Sequence, residues 1–390
     1  MTESEPRPLE GIRVVDLTQY EAGPSATQIL AWLGADVIKV EPPGGEPSRH
    51  LIGGDHDRDS IVFVLFNQSK RSIVLDLATE ADRARLRALV RTADVLAENF
   101  APNTLERLGL PIDELLREQP ELIVASVRGY GPNGPWSAYK SLDFVAQAVG
   151  GPSGSPLTLI APPTRVGVTI ADSGTGLHLA VGILSALFRR SRTGKGGRVE
   201  VALQDAIVNL MRNALSPTYV AGTPAARTGS AYVTSVPSDL YPCAPGGPND
   251  YLYILLAAKQ HWESLLQAIG REDLRDDARY ARQSARNARP EETRAIVRAW
   301  TATRDKFEAM EHLSKFGVPC GAVLDTAEIL ANEQLRACGM IVDHHHPHWG
   351  DIRIPACPIR LDGFTARLDP APALGAHTDE VLAEVETADS

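Results

Sequence analysis

The sequence predicts an α/β protein built on a parallel β-sheet. In the first 130 residues, short runs rich in β-branched side chains alternate with amphipathic segments, and this alternation is typical of βαβ units. A hydrophobic content of 43% and a charged content of 23% over 390 residues indicate a folded chain rather than a disordered one. The length predicts more than one domain.

The β-branched runs predict five strands in this first part: Ile12–Leu17, Val37–Glu41, Ser72–Asp76, Val95–Glu98 and Leu122–Val127. The clearest helical pattern between them is Thr79–Ala93, in which Leu86, Leu89 and Val90 share one face. Thr79 opens a segment that resembles a capping box, which marks the start of a helix. Strands separated by helices of this kind lie parallel in one sheet.

A polar interruption, IADSGTG at residues 170–176, separates a strand-like run, Arg165–Ile170, from an apolar helix predicted over 177–190. Asp172 at this junction has two interpretations that spacing leaves open. An aspartate before a helix is a common N-cap, and the same helix terminus stabilises an ionised carboxylate that can act as a nucleophile. Gly174 and Gly176 lack side chains, which predicts that a bulky ligand can approach Asp172.

Composition predicts four segments along the chain. Residues 1–213 form the first part of a large domain, and 214–250, rich in Pro, Gly, Ser and Thr, form a linker and an active-site loop. Residues 251–323 form a smaller domain, and 324–390 return to the large domain and end in a short helix. A strand and helix, Arg198–Leu203 and Gln204–Asn213, close the first segment.

Several functional classes are disfavoured. A net charge of −10 gives no general attraction for nucleic acid. The turn after the first strand, residues 18–25, has one glycine where a dinucleotide site needs three. The four cysteines form no CxxC pair, so no metal site or dithiol is expected from them. The histidine-rich run Asp343–His348 is interpreted as a solvated loop.

The apolar run 177–188 is too short to cross a bilayer, and the N-terminus MTESEPRPLEG lacks the features of a signal peptide. These features predict a cytoplasmic protein with no membrane partner.

One resemblance decides between the interpretations of Asp172. The chain resembles the class III CoA-transferases, the CaiB/BaiF family, and within it the formyl-CoA transferase-like members. The landmarks run nearly end to end: LEGIRVVDLTQYEAGPSATQILAWLGADVIKVE, FNQSKRSIVLDL, ADVLAENF, LERLGL, VRGYG, ADSGTGLHLAVGILSALFRRSRTGKG, FGVPCGAV and LGAHTDEVL. Such a match implies a Rossmann-like large domain, a smaller α+β domain and an interlocked homodimer.

The resemblance implies that Asp172 is the nucleophile, because it occupies the position of the family's catalytic aspartate. In that chemistry the carboxylate attacks an acyl-CoA, gives a mixed anhydride and then an aspartyl-CoA thioester, and a second carboxylic acid takes up the CoA. The CoA thioester is a co-substrate, and neither a tightly bound cofactor nor a metal is implied. The residues implied to contact CoA are Glu21, Ala22, Leu75, Ala78, Asn99, Phe100, Ala101, Arg107, Lys140 and Asp143.

The sequence also departs from the family pattern. Glu21 and Gln19 replace the Gln and His often found in formyl-CoA transferases, which argues against exchange between formate and oxalate. The region 234–247 is short where those enzymes have a glycine-rich lid. An acyl-CoA racemase of the same fold is an alternative, but Leu142 stands where a racemase has its histidine and cannot exchange protons. A non-catalytic acyl-CoA-binding protein is a second alternative.

Overall fold

The structure is a computed structural model that describes residues 7–55, 58–151, 163–232 and 234–388. Within these residues, six strands form a wholly parallel sheet. They are β1 (Arg13–Asp16), β2 (Asp36–Glu41), β3 (Arg71–Val74), β4 (Val95–Glu98), β5 (Ile123–Arg128) and β6 (Gly197–Ala202). Their order is β3-β2-β1-β4-β5-β6. The predicted α/β class is confirmed, and the predicted strands agree with the observed ones to within two residues. The order reverses between β1 and β4, which is where ligands bind in open α/β sheets.

Nine helices precede or follow these strands in the first part of the described chain. They are α1 (Ala22–Trp32), α2 (Ile61–Phe66), α3 (Glu80–Arg91), α4 (Thr104–Arg107), α5 (Ile112–Glu118), α6 (Asp143–Gly150), α7 (Ile170–Thr193), α8 (Leu203–Leu210) and α9 (Ser216–Ala221). Thr79 caps α3 as predicted, because its side chain accepts the N–H of Asp82.

The sheet is buried on both faces, since successive residues of each strand point to opposite sides. In β1, Val14 packs with α1 and α7, whereas Val15 packs with α3 on the other face. The second face is also covered by Val381 and Val385, which belong to the C-terminal helix over Thr378–Ala388. The two ends of the chain therefore share one core.

The chain divides into two compact units. One contains Met1–Ser153, Arg165–Ser216 and Gln334–Ser390, and the other consists mainly of Pro217–Glu333. The remaining helices are α10 (Lys259–Ala268), α11 (Gln283–Asn287), α12 (Pro290–Thr301), α13 (Lys306–Lys315), α14 (Thr326–Ala331), α15 (Glu333–Ala337) and α16 (Thr378–Ala388). The remaining strands are β7 (Asp239–Pro242), β8 (Tyr251–Ile254), β9 (Cys320–Ala322), β10 (Ile341–His346) and β11 (Gly350–Pro355).

The range 214–250, predicted as a linker and an active-site loop, contains regular structure and is not wholly a free loop. Strands β7, β8 and β9 form an antiparallel sheet in the second unit, and Tyr241 of β7 is buried in its core. The Ser235 hydroxyl donates a hydrogen bond to the Leu256 carbonyl. Part of the region 234–247 is thus anchored by a sheet, which its Pro- and Gly-rich composition did not predict.

The histidine-rich run is a strand rather than the solvated loop that the sequence predicted. Strands β10 and β11 pair in antiparallel fashion, and the alternation of the strand buries His344 and His346 while leaving His345 exposed. His345 faces Asp351 at 2.8 Å. Across the described residues, no group of three or more His, Cys, Asp or Glu side chains is arranged to hold a metal ion.

Helix α7 is longer than predicted. It spans 24 residues and contains an 18-residue window with a mean hydropathy of 1.3, so by length and composition alone it passes the criteria for a membrane span. Half of that apolar window is buried inside the protein, and core helices of soluble proteins pass the same criteria. This helix carries the candidate nucleophile in its first turn.

Candidate active site

A cavity of about 480 Å³ opens at the carboxyl ends of the central strands. Its walls come from the segments that follow β1, β4 and β5, together with Asp172 of α7 and Leu203 of α8. Strands β1 and β4 flank the reversal of strand order. The fold therefore places the cavity where a doubly wound sheet binds its ligand.

Asp172 lies within the first turn of α7 and is not its N-cap. The helix begins at Ile170, its N-cap residue is Thr169, and no side chain of the N-cap residue accepts a hydrogen bond there. The predicted strand over Arg165–Ile170 is absent from the described residues, and the interpretation of Asp172 as a cap is wrong. Among the described residues, no hydrogen-bond donor reaches its carboxyl oxygens.

Asp143 supplies the cap from another helix. Its Oδ2 accepts the backbone N–H groups of Ala171 (2.8 Å) and Asp172 (3.1 Å), which the start of a helix leaves without intrahelical partners. Its Oδ1 accepts the side-chain amide of Gln147 at 2.7 Å. Asp143 is buried, so this carboxylate fixes the orientation of α7 rather than facing a ligand.

The two glycines after Asp172 allow close packing between helices. A Cβ on Gly176 would lie 2.0 Å from Ser25 Oγ and 2.8 Å from the Ala22 carbonyl, both on α1. A Cβ on Gly174 would lie 2.8 Å from Leu210 of α8. Both glycines are buried. The prediction that they leave room for a ligand is wrong, because helices α1 and α8 occupy that space.

Glu21 approaches Asp172 from the amino end of α1. Its Oε1 accepts hydrogen bonds from the hydroxyls of Thr169 (2.6 Å) and Ser173 (2.7 Å). Only 9% of Glu21 is exposed. Three acidic residues, Glu21, Asp143 and Asp172, therefore surround the first turn of α7.

Burial, assisted by neighbouring negative charges, raises the pKa values of two of these groups. Burial raises the pKa of Asp172 to about 7, and the neighbouring charges of Glu21 and Asp143 act in the same direction. Burial also raises the pKa of Glu21, although the hydroxyls of Thr169 and Ser173 oppose the effect. A carboxyl group that ionises near neutral pH is a strong nucleophile once it has lost its proton.

The turn that carries Glu21 is held by buried charges beneath it. Lys39 Nζ donates to the Thr18 carbonyl at 2.8 Å, and Gln19 exchanges two hydrogen bonds with the side chain of Asn99. Tyr20 adopts a left-handed φ of 64°, and its N–H donates to Glu46 at 3.2 Å. These contacts fix the backbone that leads into Glu21.

The cavity contains two cationic side chains among its described lining residues. Arg128 is paired with Glu98 at 2.8 Å. Lys140 is exposed at the rim, and no acidic side chain of the described residues pairs with it. Arg107 lies in the short helix α4 and does not line the cavity. Lys140 is thus the cation best placed to meet an anionic ligand.

The structure brings together seven of the predicted site residues on the wall of the cavity: Glu21, Ala22, Asn99, Phe100, Ala101, Lys140 and Asp172. It places four others elsewhere. The side chain of Leu75 is buried in the core, Ala78 and Arg107 are exposed outside the cavity, and Asp143 caps α7. Sequence reasoning missed Thr169 and Ser173, because nothing in their spacing reveals a partner 148 or 152 residues away.

Comparison with known proteins assigns the chain to a family. A family model described as CoA-transferase family III matches residues 9–378. The formyl-CoA:oxalate CoA-transferase of Streptomyces coelicolor is 38% identical over 386 residues, covering 96% of this chain and 94% of the relative. The enzyme of the same name from Bradyrhizobium sp. is 39% identical over 397 residues, covering 97% and 93%.

Solved structures agree with that result. A CAIB/BAIF family protein from Brucella suis has a TM-score of 0.86 at 33% identity, covering 98% of this chain and 100% of that protein. The protein Rv3272 from Mycobacterium tuberculosis has a TM-score of 0.82 at 31% identity, covering 96% and 98%. The chain therefore belongs to CoA-transferase family III, also called the CaiB/BaiF family. Its general activity is CoA transfer, with a CoA thioester as co-substrate.

Proposed function

We propose that the protein moves CoA from an acyl-CoA to a free carboxylic acid through covalent intermediates on Asp172. The Asp172 carboxylate attacks the thioester carbonyl, the C–S bond breaks, and CoA leaves as a thiolate. The thiolate then attacks Cγ of Asp172, the anhydride C–O bond breaks, and the first acid leaves as a carboxylate. An incoming carboxylate reverses these steps and departs as the new CoA thioester.

The observation that carries the proposal is the environment of Asp172. Its carboxyl group lies on the wall of the cavity, receives no hydrogen bond from the described residues, and has a pKa raised to about 7 by burial and by Glu21 and Asp143. A structural carboxylate would accept hydrogen bonds from several donors, as Asp143 does. An uncompensated carboxylate in a cavity is typical of a functional group.

A carboxylate suits this chemistry better than a hydroxyl nucleophile. The anhydride and the aspartyl thioester remain about as activated as the acyl-CoA, so CoA can be returned to a second acid. A serine ester would be too stable to release CoA readily. Water must be excluded because it would hydrolyse both intermediates, and the apolar wall formed by Phe100, Val127 and Leu142 serves that purpose.

The lining of the cavity also suits the pantetheine arm and a phosphate group of an acyl-CoA. The apolar wall accommodates the uncharged pantetheine arm, while Lys140 at the rim attracts a phosphate group. Leu142 is 68% exposed beside Asp172, and no histidine is among the described residues that line the cavity. Proton exchange at an α-carbon, which a racemase of this fold carries out with a histidine and an aspartate, lacks its histidine here.

The acceptor acid is proposed to be a monocarboxylate. The relatives from Streptomyces and Bradyrhizobium are named for oxalate, a compact dianion. Here Glu21 adds a third acidic group beside Asp172 and Asp143, and like charges at short range disfavour a dianion. The apolar wall favours an acid with a hydrocarbon chain.

The protein is proposed to act as a homodimer. One face of α7 exposes Leu177 (58%), Val181 (63%) and Phe188 (67%), which follow one another at helical spacing. A contiguous apolar stripe of this kind on a core helix is typical of a surface covered by a partner. A second copy of this chain is the occupant that the family resemblance implies.

A panel of acids tests the transfer reaction. Purified protein is incubated with one acyl-CoA and many free acids, including formate, oxalate and longer monocarboxylates, and new CoA thioesters are identified by mass spectrometry. The expected result is a new thioester with wild-type protein and none with Asp172→Asn, although both fold. Transfer by the Asp172→Asn variant at the wild-type rate contradicts the proposal. Deuterium incorporation into the acyl-CoA from heavy water without transfer would favour the racemase.

A further inference from the structure

Two hydrogen bonds to the Glu21 side chain oppose the effect of burial, which raises its pKa. Glu21 is the N-cap residue of α1, but its side chain makes no cap hydrogen bond there. Its side chain reaches α7 instead, where Oε1 accepts two hydroxyl hydrogen bonds, from Thr169 and Ser173. These two residues flank Asp172 in the chain. Hydrogen bonds donated to a carboxylate stabilise its ionised form.

Asp172 has no comparable support among the described residues. When two carboxyl groups are close, the better-stabilised one ionises first, and its charge then opposes the ionisation of the other. Burial, Glu21 and Asp143 together raise the pKa of Asp172 to about 7. The two hydroxyls thus support the ionised form of Glu21 against the effect of burial, whereas Asp172 is the carboxylate that is costlier to form.

The other charged groups around Glu21 do not cancel this effect. Asp143 of α6 adds a negative charge. Arg128 of β5, on the cavity wall, is paired with Glu98, and Lys140 lies at the exposed rim. Beneath the turn that precedes Glu21, Lys39 lies 3.7 Å from Glu46. The immediate neighbours of the Glu21 carboxyl are therefore acids and hydroxyls.

We propose that Glu21 is a positioning residue that acts through Asp172: its negative charge drives Asp172 out of the free carboxylate and into the covalent CoA thioester. This role rests on the proposed function. Before the reaction, the carboxylates of Glu21 and Asp172 line the same cavity and repel each other. After it, Asp172 is an uncharged thioester, and the released acid carries the negative charge into solvent. Apart from protonation of Asp172, the repulsion is relieved when Asp172 is acylated.

The same charge determines how the anhydride collapses. Attack by CoA thiolate on the substrate acyl carbon must expel Asp172 as a carboxylate beside Glu21. Attack on Cγ of Asp172 expels the free acid, whose carboxyl group has an ordinary pKa of about 4. The weaker base is the better leaving group. Glu21 therefore directs the anhydride toward aspartyl-CoA and away from return to the starting thioester.

The variant Glu21→Gln tests the role because the amide keeps an oxygen that accepts the two hydroxyls and loses the charge. In wild-type protein, kcat/KM for acyl-CoA is expected to rise with pH through a midpoint near 7, where Asp172 loses its proton. In Glu21→Gln the midpoint is expected to fall by about one pH unit. The fraction of Asp172 trapped as its CoA thioester in acid-quenched samples is expected to fall several-fold, a change that a merely structural role would not produce.

A matched control is Glu121→Gln. Glu121 is exposed and precedes the amino end of β5, at the opposite edge of the sheet from the cavity. It should leave both the pH midpoint and the trapped fraction unchanged. An unchanged midpoint or an unchanged trapped fraction in Glu21→Gln overturns the proposal.

A direct titration separates this proposal from the proposed function. Protein labelled with ¹³C at the aspartate carboxyls is titrated by NMR, and the Asp172 signal is assigned with Asp172→Asn. The Asp172 midpoint is expected to be lower in Glu21→Gln than in wild type, and an identical midpoint contradicts the inference whether or not the enzyme turns over. If the midpoint moves but wild-type protein transfers CoA to no acid, the proposed function fails, and with it the role of Glu21 in forming the thioester.

Discussion

The Asp143 carboxylate accepts the backbone N–H of Asp172 at 3.1 Å, so one acid caps the helix that carries the other. Because Asp143 caps α7, the Asp172 side chain does not do so, although its position in the sequence was compatible with an N-cap. Asp143 also adds a negative charge that opposes the ionisation of Asp172. The stability of α7 and the reactivity of Asp172 are therefore linked through a single carboxylate.

Asp143→Ala is expected to weaken the start of α7. It removes the acceptor of two backbone N–H groups, and the loss of such a cap costs about 1–2 kcal/mol of unfolding free energy. It also removes a negative charge, so the acid limb of the kcat/KM profile should move to lower pH. Urea denaturation and a pH–rate profile measure the two effects. Unchanged stability together with an unchanged profile would show that Asp143 has neither role.

Asp172→Asn is expected to stabilise the protein at neutral pH. In the unfolded chain Asp172 loses its proton near its ordinary pKa of 3.8, whereas in the folded protein its pKa is about 7. Between these values the folded state holds a proton that the unfolded state releases, so the stability falls as pH rises, and the loss is complete above pH 7. Removing the titrating group should add about 1–3 kcal/mol at pH 8.

Denaturation at two pH values checks this sign. The stabilisation by Asp172→Asn should be present at pH 8 and nearly absent at about pH 3, where the wild-type carboxyl is mostly protonated in both states. A variant that is less stable than wild type at pH 8 would mean that Asp172 is a structural carboxylate.

Gly176→Ala is expected to separate α7 from α1. The new Cβ would lie 2.0 Å from Ser25 Oγ and 2.8 Å from the Ala22 backbone carbonyl. Overpacking of this kind costs about 1–3 kcal/mol, and it displaces Ala22, which lines the cavity next to Glu21. Thermal denaturation and kcat should both show the loss. Gly321→Ala is the control, because its Cβ would meet nothing within 4 Å; equal effects of both variants would contradict the packing argument.

The parts of the fold that the sequence predicted correctly are those whose pattern lies within a short stretch of the chain. The alternation that puts Val14 and Val15 on opposite faces of the sheet is contained within one strand, and the strands predicted for the parallel sheet held to within two residues, whereas the one predicted over Arg165–Ile170 did not form. The start of α7 was missed because Gly174 and Gly176 have low helix propensity. Contacts with Ser25 and Leu210, far away in the chain, require glycine there and override that propensity.

Some residues of the candidate site were predicted from the sequence, and others were missed because their contacts are distant in the chain. Asp172 was found through the family resemblance, since its local pattern fitted a cap equally well. The two hydroxyls that hold Glu21 were not found, because a contact between residues 148 apart leaves no mark in local spacing. The strand that buries His344 and His346 was missed because aspartate is depleted in strands and a run of histidines shows no alternation of apolar and polar side chains.

Lys140→Met is expected to weaken the binding of acyl-CoA. Lys140 is the cation on the cavity rim without an acidic partner among the described residues, so its ammonium is available to a phosphate. An exposed ionic contact is worth about 1 kcal/mol, which corresponds to a KM raised about fivefold with kcat nearly unchanged. The difference should shrink in high salt.

Lys195→Met is the matched control for that experiment. Lys195 is exposed in the turn before β6, at the amino end of the sheet and away from the cavity. It should leave KM unchanged. A KM for acyl-CoA that is the same in Lys140→Met and wild type would remove Lys140 from the binding site.

Val181→Glu is expected to break the proposed homodimer. Val181 is 63% exposed in the middle of the apolar stripe on α7, and a charge buried in an apolar interface is strongly unfavourable. Light scattering after size-exclusion chromatography should give a dimer for wild type and a monomer for the variant. Ile52→Glu, at a position 73% exposed outside the stripe, should remain dimeric. A monomeric wild-type protein, or a dimeric Val181→Glu variant, contradicts the proposal.

The most direct test of the central claim is the identity of the residue that becomes acylated. Wild-type protein is mixed with acyl-CoA, quenched with hydroxylamine during turnover, and digested, and the modified peptide is sequenced by mass spectrometry. The account predicts a hydroxamate on Asp172, formed from its anhydride or thioester, and none in Asp172→Asn. Turnover accompanied by modification of a different side chain, with Asp172 always recovered unmodified, would contradict it.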